Sequence, residues 1–232
     1  TDFTFQPGFG IATETGGQFQ FEQPAAGTAI FSASRKTSKL LQLRDGERLH
    51  LEVDLPQAGG ADSFPVLAFI PETNDTGSLS GYGVAKSSSD LLLTKGINRY
   101  FFNENLEPPV KQENIRLGLI LTARQGRVEI ETEVRDLDLD GAVIYRQTAV
   151  DTAAADVMAD GSDDPAAPFI TSGHCVLYLY QDFEAASPED PYRAYYDNLV
   201  IHAAPAPPNA APVIASVLPA AYANFLPATT AL

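Results

Sequence analysis

Asn114–Val150, NIRLGLILTARQGRVEIETEVRDLDLDGAVIYRQTAV, decides the fold, because it reads as three consecutive antiparallel strands. Ile115, Leu117, Leu119 and Leu121 alternate with Arg116, Gly118, Ile120 and Thr122, the period of two expected of a sheet with one buried face. Val128, Ile130, Thr132 and Val134 then alternate with Glu129, Glu131, Glu133 and Arg135. A two-residue turn at Gln125-Gly126, with the glycine taking positive φ, fixes the register by counting. It sets Leu117 opposite Val134, Leu119 opposite Thr132 and Leu121 opposite Ile130. A slip of one residue would put leucines opposite glutamates, so the pairing is strongly specified.

The turn into the third strand is less determined. Closure by two residues at Asp140-Gly141 sets Arg146 against Arg135, a repulsive pair. A turn longer by one residue brings Tyr145 and Gln147 onto the glutamate face, and the sequence leaves both open.

Outward from this stretch, short strands read at Ala29–Ser34, Leu49–Leu55, Val66–Ile70, Gly83–Lys86, Tyr100–Phe102, Cys175–Phe183 and Arg193–His202, with aromatic pairs Phe3/Phe5 and Phe19/Phe21 at strand spacing near the start. In Leu49–Leu55 the leucines and Val53 face in, while His50, Glu52 and Asp54 face out. Nothing before residue 202 sustains a helical apolar period. About a dozen strands separated by turn residues imply an all-β, antiparallel two-sheet sandwich of jelly-roll type. The sandwich spans residues 1–203, a proline-rich linker 204–212, and an uncharged extended tail 213–232.

The chain has 232 residues, of which 44% are hydrophobic, and a net charge of −15, so it lacks the basic surface that nucleic acid or anionic lipid requires. A single cysteine, Cys175, rules out an intrachain disulfide. Thr1 in first place fits a mature chain trimmed of a signal peptide, and a secreted or cell-surface setting is expected. Pro219 and Pro227 interrupt the tail and no basic residue flanks it, which argues against membrane insertion. The tail resembles the first strand of the immunoglobulin-like repeats that follow bacterial surface domains. Alternatively it pairs with a neighbouring subunit's sheet edge, giving a homo-oligomer.

The last strand, YRAYYDNLVIH, closes on Tyr196, Asp197, Asn198, Leu199 and Val200. This aromatic-Asp-Asn-apolar pattern resembles the closing strand of bacterial members of the concanavalin A-like lectin and glucanase superfamily. The resemblance implies two curved sheets over residues 1 to 203, a concave face that binds glycans, and a structural calcium ion.

Three groups of residues carry candidate chemistry. Asp136, Asp138, Asp140 and Gly141 match the opening of a calcium loop, D-x-D-x-D-G, whose alternate carboxylates offer hard oxygen ligands. Gln147 stands where an EF-hand needs its bidentate glutamate, and a plain Asp-Gly turn reads the same residues equally. Glu129, Glu131 and Glu133 share one strand face, and a glycosidase needs two carboxyl groups about 5 Å apart. The superfamily's glucanases carry a Glu-x-Asp-x-Glu type motif between tryptophans; here Glu131 replaces the aspartate and there is no tryptophan. The glutamates therefore read as a solvated outer face, with no catalytic residue assigned. Tyr178, Tyr180 and Asp182, with Tyr196 and Asn198, form a candidate sugar-binding platform of stacking rings and hydrogen-bonding groups, against the alternative that the tyrosines pack between the sheets with their hydroxyls at the rim.

These readings point to a non-catalytic extracellular carbohydrate-binding or adhesive module whose partner is a polysaccharide or glycan. A structural subunit of a surface layer or filament, and a glycoside hydrolase or polysaccharide lyase, are the alternatives.

Overall fold

The computed structural model describes residues 3–6, 11–23, 31–57, 63–71, 81–87, 90–95, 99–105, 111–152, 158–159, 169–181 and 192–207. In chain order the strands are β1 (Phe3–Gln6), β2 (Ile11–Thr15), β3 (Gln18–Gln23), β4 (Phe31–Thr37), β5 (Leu41–Gln42), β6 (Glu47–Leu55), β7 (Ser63–Ile70) and β8 (Tyr82–Lys86). They continue with β9 (Asp90–Lys95), β10 (Arg99–Asn105), β11 (Ile115–Arg124), β12 (Arg127–Asp136), β13 (Ala142–Asp151), β14 (Met158–Ala159), β15 (Ser172–Gln181) and β16 (Tyr192–Pro205). All pairings among the described residues are antiparallel. One sheet has nine strands in the order β1-β4-β15-β7-β8-β9-β10-β14, with β5 beside β15. The other has seven, in the order β13-β12-β11-β6-β16-β3-β2. This is the all-β two-sheet sandwich of jelly-roll type, with short edge pieces raising the strand number above a dozen.

The β11–β12 pairing is the one that counting gives: Leu117 faces Val134, Leu119 faces Thr132 and Leu121 faces Ile130. Gly126 in the connecting turn has φ 74°, the left-handed conformation that glycine adopts without penalty. β6 pairs with the other edge of β11, so Val53, Leu51 and Leu49 continue the rows begun by Leu117, Leu119 and Leu121. These side chains are buried against Leu67, Phe69, Val84, Leu91, Leu93, Cys175, Leu177 and Leu179 of the nine-stranded sheet.

The strands β7 and β15 carry near-continuous apolar runs, and both their faces are buried, as such runs require. One side joins the intersheet core. The other holds Phe64, Val66, Ala68, Ile70, Val176 and Tyr178, which cluster with Ala85 and Leu92. β9, DLLLTK, has three successive leucines and no alternation, and the sequence reading passed over it. β16 runs to Pro205, where it pairs with Glu47, so the strand reaches two residues into the stretch read as linker. The tail 213–232 and the assembly role expected of it lie outside the described residues.

Polar ties cross the core at two places. Tyr196 of β16 is fully buried; its Oη accepts from Val66 N at 2.8 Å and donates to the Tyr178 carbonyl at 2.5 Å. Asp151 at the end of β13 receives the Tyr82 hydroxyl at 2.7 Å and the Lys95 ammonium at 2.5 Å. All three of these residues are at most 5% exposed. Removing one partner of a buried ion pair leaves a charge without its counter-charge, which costs far more than the pair itself contributes.

Asp151→Asn is therefore expected to lower unfolding stability by about 3–5 kcal/mol in urea denaturation. A loss below about 1 kcal/mol would show that this tie does not hold the sheets together.

Candidate functional site

The outer face of the seven-stranded sheet collects most of the chain's arginines. Strand register aligns its side chains in rows across β16, β6, β11, β12 and β13. One row runs His202, His50, Ile120, Glu131, Thr148. The next runs Val200, Glu52, Gly118, Glu133, Arg146. A third runs Ala204, Arg48, Thr122, Glu129, Val150.

Arg146 reaches this face because of the turn that the sequence left open, and neither alternative is adopted. Leu137–Leu139 form a short 3-10 turn capped by Asp136, whose side chain accepts from Asp138 N. Asp140 and Gly141 both take positive φ, at 55° and 75°. Asp136 then pairs with Ala142 and Arg135 with Val143, and the register shifts before Val134 meets Tyr145. This bulge buries Tyr145 and sets Arg146 opposite Glu133 in place of Arg135. A like-charge contact becomes an attractive one.

The glutamates are consequently not a solvated face. Glu133 is only 2% exposed, and its carboxylate is bound by Arg135 Nη2 at 2.5 Å and by Arg146. Glu131 receives Arg48 Nη2 at 3.2 Å and Arg146 Nε at 3.1 Å. His50 lies 3.2 Å from Glu52. Glu129, a row further out, is held by Arg124 and Arg127. The correction has a simple cause: charges opposite one another across strands pair off and exclude water, and only the register says which are opposite.

Between these side chains runs a groove of about 610 Å³, lined by Arg48, His50, Ile120, Glu131, Glu133, Arg135, Arg146 and His202, with Ala204, Pro205 and Pro207 along one edge. Gly118 lies in the row between Glu52 and Glu133. A Cβ placed there would sit 3.6 Å from Glu133 Cβ and 3.9 Å from Glu52 Cγ, ordinary contacts that show the two glutamates packed over the glycine. Arg48 Nε, His50 Nε2, Arg135 Nε and Arg146 Nε are covered and lack a well-aligned hydrogen bond, although Arg146 Nε lies 3.1 Å from Glu131 and His50 Nε2 3.2 Å from Glu52.

Burial raises the pKa of Glu131, and the neighbouring Glu133 adds to the rise against the pull of Arg48 and Arg146. Burial pushes Glu133 the same way, but its bonds to Arg146 and Arg135 outweigh that and hold it below the ordinary carboxylate range. His50 is lowered chiefly by burial, which Glu52 partly opposes. Both carboxylates bind Arg146, so one guanidinium is shared between them. Each is also held by a second arginine, whereas a retaining glycosidase keeps one carboxyl as free acid and the other as nucleophile about 5 Å apart. The groove can offer charge and hydrogen bonds, but no aromatic ring lines it.

Of the sequence-read platform, two of the three rings are buried. Tyr178 is buried in the apolar cluster on the nine-stranded sheet, and Tyr196 lies between the sheets with its ring edge-on to Phe21 at 5.4 Å. Both rings are thus closed to a sugar, because each fills the layer it points into. Tyr180 pairs in β15 with Phe64 and Phe31, and nothing of its side chain is described; Asp182 lies outside the described residues. Asn198 is exposed at a bulge of β16 with φ 46°, and its Nδ2 donates to Asp54 at 3.0 Å. Asp54 also takes Arg116 in a two-pronged contact at 2.6 and 3.0 Å. The Tyr-Asp-Asn pattern therefore builds the strand: its tyrosine ties the sheets and its asparagine turns the bulge.

The donor set at Asp136, Asp138 and Asp140 does not fit a calcium ion. Lys111 Nζ binds Asp136 Oδ1 at 2.8 Å and Asp138 Oδ2, while Asn114 donates to the other Asp138 oxygen. The lysine lowers the Asp138 pKa and thereby supplies the positive charge that the turn needs. No group of three or more potential metal ligands occurs among the described residues.

Arg48, His50, Arg135, Arg146 and Gly118 were missed as a group by sequence reasoning. The available signal was the Arg48-His50-Glu52 alternation on β6, but β6 and β12 lie some eighty residues apart in the chain, and only β11 between them makes them neighbours.

No family model and no curated protein match this sequence. Among solved structures the chain is similar to the carbohydrate binding module CBM66 from Bacillus subtilis, at 12% identity and TM-score 0.45 over 86% of this chain and 94% of that one. It is similar to lectin I-B4 from Griffonia simplicifolia in its metal-free form, at 11% identity and TM-score 0.47 over 87% and 93%. A third likeness is to an alginate lyase from Corynebacterium sp., at 9% identity and TM-score 0.40 over 81% and 78%. At these values the likeness assigns no residue and no ligand to this chain.

Two outcomes follow from the placements. Tyr196→Phe should lower stability by about 1–3 kcal/mol by leaving Val66 N unpaired, and leave glycan binding unchanged; loss of binding with unchanged stability would return the tyrosine to a ligand site. The melting temperature should ignore both chelator and added calcium, and a fall on chelation would place a cation where the Lys111 ammonium sits.

Proposed function

We propose that this chain is a non-catalytic carbohydrate-binding β-sandwich whose ligand lies in the groove across β16, β6, β11 and β12. The groove itself carries this reading. Its volume of about 610 Å³ suits a few sugar units, and its walls alternate arginine donors with carboxylate acceptors and two histidines. Sugar hydroxyls both donate and accept, and such walls can satisfy them from both sides.

The carboxyl pair supports binding over turnover. Glu131 and Glu133 share Arg146 and are each tied to a second arginine, whereas hydrolysis needs one carboxyl on each side of the scissile bond. The secreted or cell-surface setting and an adhesive role belong to the same proposal. No helix among the described residues is long and apolar enough to cross a membrane.

Filling the groove without disturbing the sheet is the direct test. Ala204 lines the groove at its edge and is half-buried outside the core, so Ala204→Phe puts a ring into the groove and should leave the melting temperature within a few degrees of the parent. On a glycan array the parent is expected to bind and Ala204→Phe to lose its signal. Undiminished binding by a folded Ala204→Phe protein would remove the groove from the function.

A further inference from the structure

Resting on that reading, we propose that the glycan bound in the groove carries an anionic substituent, a carboxylate or a sulfate ester, received by Arg48 and Arg146 in place of Glu131.

The charge distribution carries the argument. The chain has a net charge of −15, yet the groove lining gathers three arginines against two glutamates, with Glu52 beside it on His50, so this face is far less negative than the chain as a whole. An acidic protein that gathers arginines around one concavity offers a local attraction for an anion that its remaining surface repels. The arrangement suits a single acidic sugar unit rather than a long polyanion, which would meet that repulsion along its length.

Glu133 and Glu131 are not equivalent as competitors. Glu133 is buried and locked between Arg135 and Arg146. Glu131 has 26% of its side chain exposed, and its two contacts, at 3.2 and 3.1 Å, are longer. The ends of the Arg48 and Arg146 side chains, both about a third exposed, therefore face the groove beside the weaker of their partners. Guanidinium groups bind carboxylate and sulfate oxygens in pairs, so a ligand anion can take over the place of the Glu131 carboxylate.

The exchange is coupled to protons. Glu131 is faced by Arg48 and His50 from β6, by Arg146 from β13, by Glu129, Glu133 and Arg135 on its own strand, and across the groove by His202 of β16. An anion entering beside it, together with its burial, favours the protonated carboxyl. Binding takes up a proton there, so affinity rises as pH falls, as long as the ligand's own group stays ionised.

The test uses the full chain and three short oligosaccharides of equal length: an oligogalacturonate, a sulfated oligoglucan and a neutral oligoglucan, titrated calorimetrically at about pH 7.5 and about pH 5. The expected result is binding of one or both acidic probes, at least about threefold tighter at the lower pH, with the neutral probe at least about tenfold weaker. The tighter acidic probe identifies the substituent. Arg48→Gln should weaken the acidic probe about tenfold or more, and Glu131→Gln should strengthen it and flatten its pH dependence. Equal binding of the neutral probe, lost in Ala204→Phe, would overturn the anionic preference while leaving carbohydrate binding in the groove intact. Binding of none of the probes, with glycan arrays also blank, would overturn both.

Discussion

The register of β11 against β12 is the constraint on which everything else depends. It is fixed by Leu117, Leu119 and Leu121 meeting Val134, Thr132 and Ile130, all at most 1% exposed. Because side chains alternate, placing these residues inside dictates what lies outside: Gly118 beside Glu133, Ile120 beside Glu131, and the β6 side chains Glu52 and His50 beyond them. The hydrophobic layer thus determines the charged one. A groove of opposed arginines and glutamates is the reverse side of a leucine core.

The fold covers several charged groups, and those at Asp151 and Glu133 sit where strands bring them partners. Asp151 meets Lys95 and Tyr82 across the sheets, and Glu133 meets two arginines within one sheet. Burial lowers the pKa of Lys86 to about 8, with Asp90 opposing, and its ammonium donates to the Ser87 carbonyl. The ties at Tyr196 and Asp151 lie on different strands of the seven-stranded sheet, so they fix its position over the other sheet in a way that leucine packing alone does not. Apolar contact holds two layers together; directional hydrogen bonds choose one alignment of them.

How far the sequence reveals this depends on range. The β11–β12 hairpin is legible because ten residues on each side of a two-residue turn leave one register that keeps leucines from glutamates. The faces of β6 are legible for the same reason. Tyr178 and Tyr196 are not. β15 is apolar on both sides, so alternation gives no sign that the Tyr178 side is covered, and a buried tyrosine hydroxyl needs a specific acceptor on another strand, here the carbonyl of residue 178 itself. The partner of the turn at residues 136–140 is a lysine 25 residues before Asp136, which supplies a counter-charge that the local pattern does not show. The groove was hidden by two features that no local pattern encodes: a bulge that moves Arg146 by one position, and a pairing that carries Arg48 and His50 next to β11.

The central claim is that ligand meets this protein on the charged outer face of the seven-stranded sheet. Backbone amide chemical shifts, followed by NMR while an acidic oligosaccharide is titrated, test it most directly. The account predicts that the perturbed amides cluster at Arg48–His50, Gly118–Ile120 and Glu131–Glu133. Perturbations gathered instead around Val66, Val176 and Tyr178, with the groove strands unmoved, would contradict it.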